Sequence, residues 1–136
     1  MKKRTVLACA LASSIIGLSA ASSAEEDVAI PKELAKYEIT GETRRCIKTV
    51  NISRSDPLDD HHILFKLRNG DLYLNRLGKG CGGLRFNDAY SFDNRLSELC
   101  QNEIISVLDT FNSGTLGSCG LGKFEKLELK NQSTEG

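Results

Sequence analysis

Two runs of alternating apolar and polar residues, His62 to Arg68 and Asp71 to Leu77, flank the pair Asn69-Gly70. A period of two marks half-buried strands. Asn-Gly supplies the positive φ angles of a two-residue type I′ turn, so this stretch predicts a β-hairpin. Such a turn sets the register. Arg68 then faces Asp71, Leu67 faces Leu72, Lys66 faces Tyr73, Phe65 faces Leu74 and Ile63 faces Arg76. Ile63, Phe65, Leu67, Leu72 and Leu74 share the core face, the Arg68–Asp71 pair closes the hairpin, and Arg76 is a cation on an apolar face.

The rest of the pattern is shorter-ranged. Cys46 to Ile52 is rich in Ile, Thr and Val and predicts a strand, and Ser53 to Asp60, with Asp56-Pro57, predicts a loop. Gly78 to Gly83 reads as a glycine-rich loop around Cys81. Leu96, Leu99 and Cys100 follow helical spacing, with Asp93 or Asn94 as a cap. Glu103 to Asp109 predicts a buried strand, Asn112 to Gly122 a loop around Cys119, and Lys123 to Leu129 a last strand. Upstream, Pro31 opens a short helix over Lys32 to Tyr37, which Gly41 ends. The predicted fold is mainly β: a small five-stranded barrel with OB-like strand order and one short helix.

The N-terminus reads as an export signal. Lys2, Lys3 and Arg4 precede the apolar run Thr5 to Ala20, and Ser22-Ser23-Ala24 offers small residues before Glu25-Glu26-Asp27. The expected division is a signal peptide over 1–24, an N-terminal arm over 25–43, a single β-rich domain over 44–130 and a disordered tail over 131–136. Removal of 1–24 takes three cations and no anions from a chain of zero formal charge, leaving −3. That gives no reason to expect nucleic-acid binding. No span is expected to cross a membrane once the signal is gone.

Cysteine usage agrees with export. Of five cysteines, Cys9 lies in the apolar run, which leaves an even set of Cys46, Cys81, Cys100 and Cys119. Four cysteines behind an export signal imply two disulfides, and three pairings are open. The element order favours Cys81–Cys100, tying the glycine loop to the helix, and Cys46–Cys119, joining the first strand to the start of the last.

Candidate chemistry is sparse. Asp59-Asp60-His61-His62 is the densest group of potential ligands, and Asp60, His61 and His62 are the metal candidates. Neighbours on a strand point to opposite faces, which argues against a shared ion. No Cys-x-x-Cys pair, Gly-x-Ser-x-Gly elbow or nucleotide-binding glycine loop is present, so no catalytic residue and no cofactor is expected. Arg76, with Tyr73 and Arg85, forms the candidate ligand-binding surface, since a cation on a core face must snorkel, pair or bind.

One string of segments has a wider echo. It includes Arg45-Cys46-Ile47, Leu58-Asp59-Asp60, His62-Ile63-Leu64-Phe65, Tyr73-Leu74-Asn75-Arg76-Leu77, Cys81-Gly82-Gly83-Leu84, Leu99-Cys100 and Ser118-Cys119-Gly120-Leu121-Gly122-Lys123-Phe124. Over residues 44–127 the chain resembles a group of small exported proteobacterial proteins classed as a domain of unknown function. The resemblance implies location and disulfides but no catalytic residues. The reading from sequence is therefore a periplasmic or secreted binding or interaction module whose partner is an envelope protein or glycan. The alternative is a small periplasmic enzyme or metal-dependent hydrolase built on the Asp-Asp-His-His segment.

Overall fold

A computed structural model describes residues 29–93, 95 and 97–131. The expected signal peptide and tail lie outside them, apart from Asn131. Ten strands are described: β1 (Tyr37–Arg44), β2 (Cys46–Lys48), β3 (Ile52–Pro57), β4 (His62–Leu67), β5 (Leu72–Arg76), β6 (Tyr90–Phe92), β7 (Glu98–Cys100), β8 (Ile104–Asp109), β9 (Gly114–Gly120) and β10 (Phe124–Leu129). One short helix, α1 (Leu84–Asn87), lies between β5 and β6.

The strands form an antiparallel five-stranded sheet in the order β1-β10-β5-β4-β3, a β2-β7 pair and a three-stranded sheet β6-β8-β9. The protein is mainly β, as its alternating patterns predict, and among the described residues its one α-helix is α1, not the helix expected toward Cys100. It is not a barrel: β1 and β3 are edges that do not pair with each other, so the large sheet stays open. Its inner face carries Ile63, Phe65, Leu67, Tyr73 and Phe124. These residues share a core with Ile47, Leu99, Ile105 and Val107 from the two smaller sheets and with Leu84 of α1. Phe65 and Phe124 meet edge to face at 5.4 Å.

The hairpin forms where Asn69-Gly70 places it, but its register is one residue off the expected one. Lys66 pairs with Leu72, Phe65 with Tyr73, Leu64 with Leu74 and His62 with Arg76. Gly70 alone takes a left-handed φ, +93°. The Gly70 N–H donates to the Leu67 carbonyl at 3.0 Å, and the Leu67 N–H donates to the Asp71 carbonyl at 2.8 Å, so the loop has three residues and not two. The Asn69 side chain drives this choice: its Oδ1 accepts the Asp71 N–H at 3.0 Å, an Asx turn that needs no positive φ at Asn69. The slip exchanges the faces of β5. Tyr73 goes into the core, and Leu74 and Arg76 go to the outer face. Arg68 does not close the hairpin against Asp71; its Nε donates to the Val50 carbonyl at 2.8 Å.

Other expectations fail for related reasons. The segment expected as an arm contributes β1, which pairs with β10 from Tyr37↔Leu129 to Arg44↔Phe124. Gly41, at φ +88°, lies in the irregularity between Ile39 and Thr43 and does not end the element. Pro31 starts only a 3-10 turn over Lys32–Leu34. The predicted loop at Ser53 to Asp60 is β3 as far as Pro57, which an edge strand tolerates. Leu99 and Cys100 lie on strand β7, where Leu99 faces Ile47, and not on a helix. The glycine-rich segment around Cys119 is edge strand β9.

The disulfides are Cys46–Cys100 and Cys81–Cys119, not the expected pairing. Cys46 lies directly opposite Cys100 in the β2-β7 ladder, which a helix at Cys100 would not allow. The second bridge ties the loop after β5 to edge strand β9.

Candidate functional site

The outer face of the five-stranded sheet carries Leu64, Leu72, Leu74 and Leu127, an apolar stripe that the register slip creates. Its cover is the N-terminal segment. The Leu34 and Ala35 amides donate to the Pro31 and Lys32 carbonyls at 3.0 and 3.1 Å, curling the chain so that Leu34 is buried against Leu74 and Leu127. Lys130 pins the segment from the end of β10. Its backbone N–H donates to the Lys36 carbonyl at 2.9 Å and its Nζ to the Ala35 carbonyl at 2.8 Å.

One turn of chain cannot cover a five-stranded face, so a cavity opens on each side of it. The larger is an apolar groove of about 480 Å³ between the segment and β1, β10 and β5, lined by Ile30, Leu34, Ile39, Leu74 and Leu127 with Lys32, Arg76 and Lys130. The smaller, of about 320 Å³, lies toward β3 and is lined by charges of both signs, among them Glu33, Arg54, Asp56, Arg85 and Asp88. The groove has the size and apolar character of a small-molecule site.

The three residues expected to share a binding surface are dispersed. Tyr73 is buried on the inner face with the Arg44 guanidinium 5.3 Å from its ring centre, and burial pushes its phenol pKa up. Arg76 lines the apolar groove, and its Nε donates to Glu125 at 2.7 Å, so it pairs rather than snorkels. Arg85 lines the second cavity.

The acidic-histidine segment does local structural work. Asp60 caps α1 from a distance: its carboxylate accepts the Arg85 N–H at 3.0 Å and the Gly83 N–H at 3.4 Å. His62, buried, donates from Nδ1 to Asp59, 2.9 Å from both carboxylate oxygens. The His61 ring lies over Gly80, where a Cβ would fall 2.6 Å from its Cε1. Asp60, His61 and His62 therefore do not converge on one point. Among the described residues, the one group of three metal-ligand side chains is Cys46, Glu98 and Cys100, and its two sulfurs are bonded to each other.

With this geometry in view, comparison adds one result. The model of the family of unknown function DUF6491 matches residues 1–134. The chain belongs to that family. The match extends beyond residues 44–127 to the segment that builds the groove. No match is found among curated proteins or solved structures, so membership assigns no chemistry to the residues of the groove.

Sequence reasoning missed the groove. Ile30 and Leu34 belong, with Val28 and Tyr37, to the one apolar cluster of the segment expected as an arm, and Ile39 carries no such signal. The signal that could have placed them is the second apolar stripe on β5 and β10, Leu72, Leu74 and Leu127, which needs a cover.

Proposed function

We propose that the protein is an exported, disulfide-stabilised binding module of the cell envelope, and that its site is the apolar groove between Pro31–Lys36 and the outer sheet face. The groove carries this reading: a sheet face half covered by one turn of chain leaves apolar lining accessible beside exposed Ile30 and Ile39. Export is supported by the cationic start, the apolar run and two disulfides, which persist in oxidising compartments. Among the described residues, no helix is long and apolar enough to cross a membrane.

The hydrolase alternative has weaker support: Asp60 accepts the amides at the start of α1, His62 donates to Asp59, and no group of metal-ligand side chains among the described residues joins them to His61, whose buried Nδ1 has no hydrogen-bond partner there. A glycan or protein partner would find a different surface in the exposed stack of Phe86 and Phe111, whose rings lie 5.4 Å apart.

Binding of the neutral dye Nile red tests the groove. The oxidised protein should raise its fluorescence saturably. Ile39→Glu, on an exposed edge strand, should weaken the dye by about tenfold, as expected for a charge placed in an apolar contact. An unchanged response in Ile39→Glu, together with a response lost in Phe86→Ala, would move the site to the aromatic stack.

A further inference from the structure

We infer that the groove takes a single-chain amphiphile with an anionic head group, an inference that rests on the groove being the binding site. The charges on its wall are sorted. Each charged residue lining it is a cation, Lys32, Arg76 or Lys130, whereas the cavity on the other side of the same segment mixes Glu33, Asp56 and Asp88 with Lys36, Arg54 and Arg85. Glu33, next to Lys32 in sequence, lines that second cavity. Arg76 engages the Glu125 carboxylate at 2.7 Å, and among the described residues neither Lys32 nor Lys130 pairs with a carboxylate.

The geometry separates head from tail. Leu74 and Leu127 form a buried floor under Leu34 of the covering turn, continuous with Ile30 and Ile39. Lys130 is tethered through Nζ to the Ala35 carbonyl, and Lys32 lies exposed on the covering turn. An alkyl chain on the floor would put its polar end among these cations. A groove of about 480 Å³ suits one chain, not the two chains and large head of a bilayer phospholipid. Apolar burial then supplies affinity and the rim supplies selection for a carboxylate, sulfate or phosphate head.

Calorimetric titration of the oxidised protein with octanoate, decanoate and dodecanoate, each below its micellar range, tests this. Decanoyl glycerol and decyltrimethylammonium serve as neutral and cationic controls. Affinity should tighten about fourfold for each added methylene. Decanoate should bind more tightly than the neutral analogue, and the cation should bind least. Lys32→Glu should weaken decanoate about fivefold and narrow its advantage over the cation, while Lys32→Arg should keep it. Equal affinity for all three heads would overturn the inference and leave the groove intact. So would binding only to phosphatidylglycerol vesicles in a sedimentation assay. Failure of every chain to bind, or to displace Nile red, would also overturn it, whereas loss of Nile red binding itself is the failure of the groove reading.

Discussion

The side-chain amide of Asn75 pairs with both backbone groups of Gly122: Nδ2 donates to the carbonyl and Oδ1 accepts the N–H, each at 2.8 Å. Asn75 is fully buried, and a buried amide without partners would be costly. Gly122 comes two residues before Phe124, the first residue of β10, and there the Asn75 side chain does the work of a neighbouring strand. A Cβ on Gly122 would fall 2.2 Å from the Arg76 carbonyl oxygen, so the approach also requires glycine. Asn75→Ala should lose about 2 kcal/mol in urea unfolding, because it leaves two half-buried backbone groups of Gly122 unpaired. Gly122→Ala should lose about 2 kcal/mol or more. Gly117→Ala, with nothing within 4 Å of its Cβ, should lose less than about 1 kcal/mol. Equal effects at Gly122 and Gly117 would contradict this packing.

The Tyr73 hydroxyl is buried without a hydrogen-bond partner among the described residues. Its ring fills the core, but its oxygen is desolvated for no return. Tyr73→Phe should therefore raise stability by about 1 kcal/mol, an increase of several degrees in Tm. A drop on removing the hydroxyl would show that it holds a partner.

Peptide mapping without reductant should recover Cys46 linked to Cys100 and Cys81 linked to Cys119. The bridges span 54 and 38 residues, so on chain entropy alone each is worth about 4 kcal/mol at most. Paired Cys→Ser replacements should each lower the urea midpoint. Recovery of Cys46 linked to Cys81 or Cys119 would contradict the β2-β7 pairing.

Acid should loosen the turn that presents Phe111. Asp109 accepts the Phe111 and Asn112 amides at 2.9 and 3.0 Å, and its second oxygen takes the Asn112 side chain at 3.0 Å. The Asn112 side chain, then these amides, hold the carboxyl below its ordinary 3.8. A depressed folded-state pKa contributes stability that is fully present above the unfolded value and is lost as pH falls through the folded one. The Phe111 and Asn112 amide resonances should titrate with a midpoint below that of an ordinary Asp, and Asp109→Asn should remove the titration.

The sequence makes the hairpin legible but not its face. Asn-Gly marks the turn, yet one added loop residue exchanges every side chain of β5 between the two faces, and Tyr73 and Arg76 exchanged roles on that single step. Short strands were missed where few side chains report on them. β7 has three residues, and β9 is largely glycine and small polar residues on an edge. Asp60 and His62 read as ligands because residue type carries no record of partners. Their bonds to the start of α1 and to Asp59 appear only once the chain is folded. The groove was hidden for a related reason: its floor and its cover come from segments about ninety residues apart, Leu34 and Leu127.

Heteronuclear NMR of the oxidised protein titrated with decanoate tests the central claim most directly. Amide shifts should change in Ile30 to Ile39, at Leu74 and Arg76, and from Leu127 to Lys130, with little change at Phe86 and Phe111. Changes centred on Phe86 and Phe111, or none at saturating decanoate, would contradict the groove as the site where this protein binds.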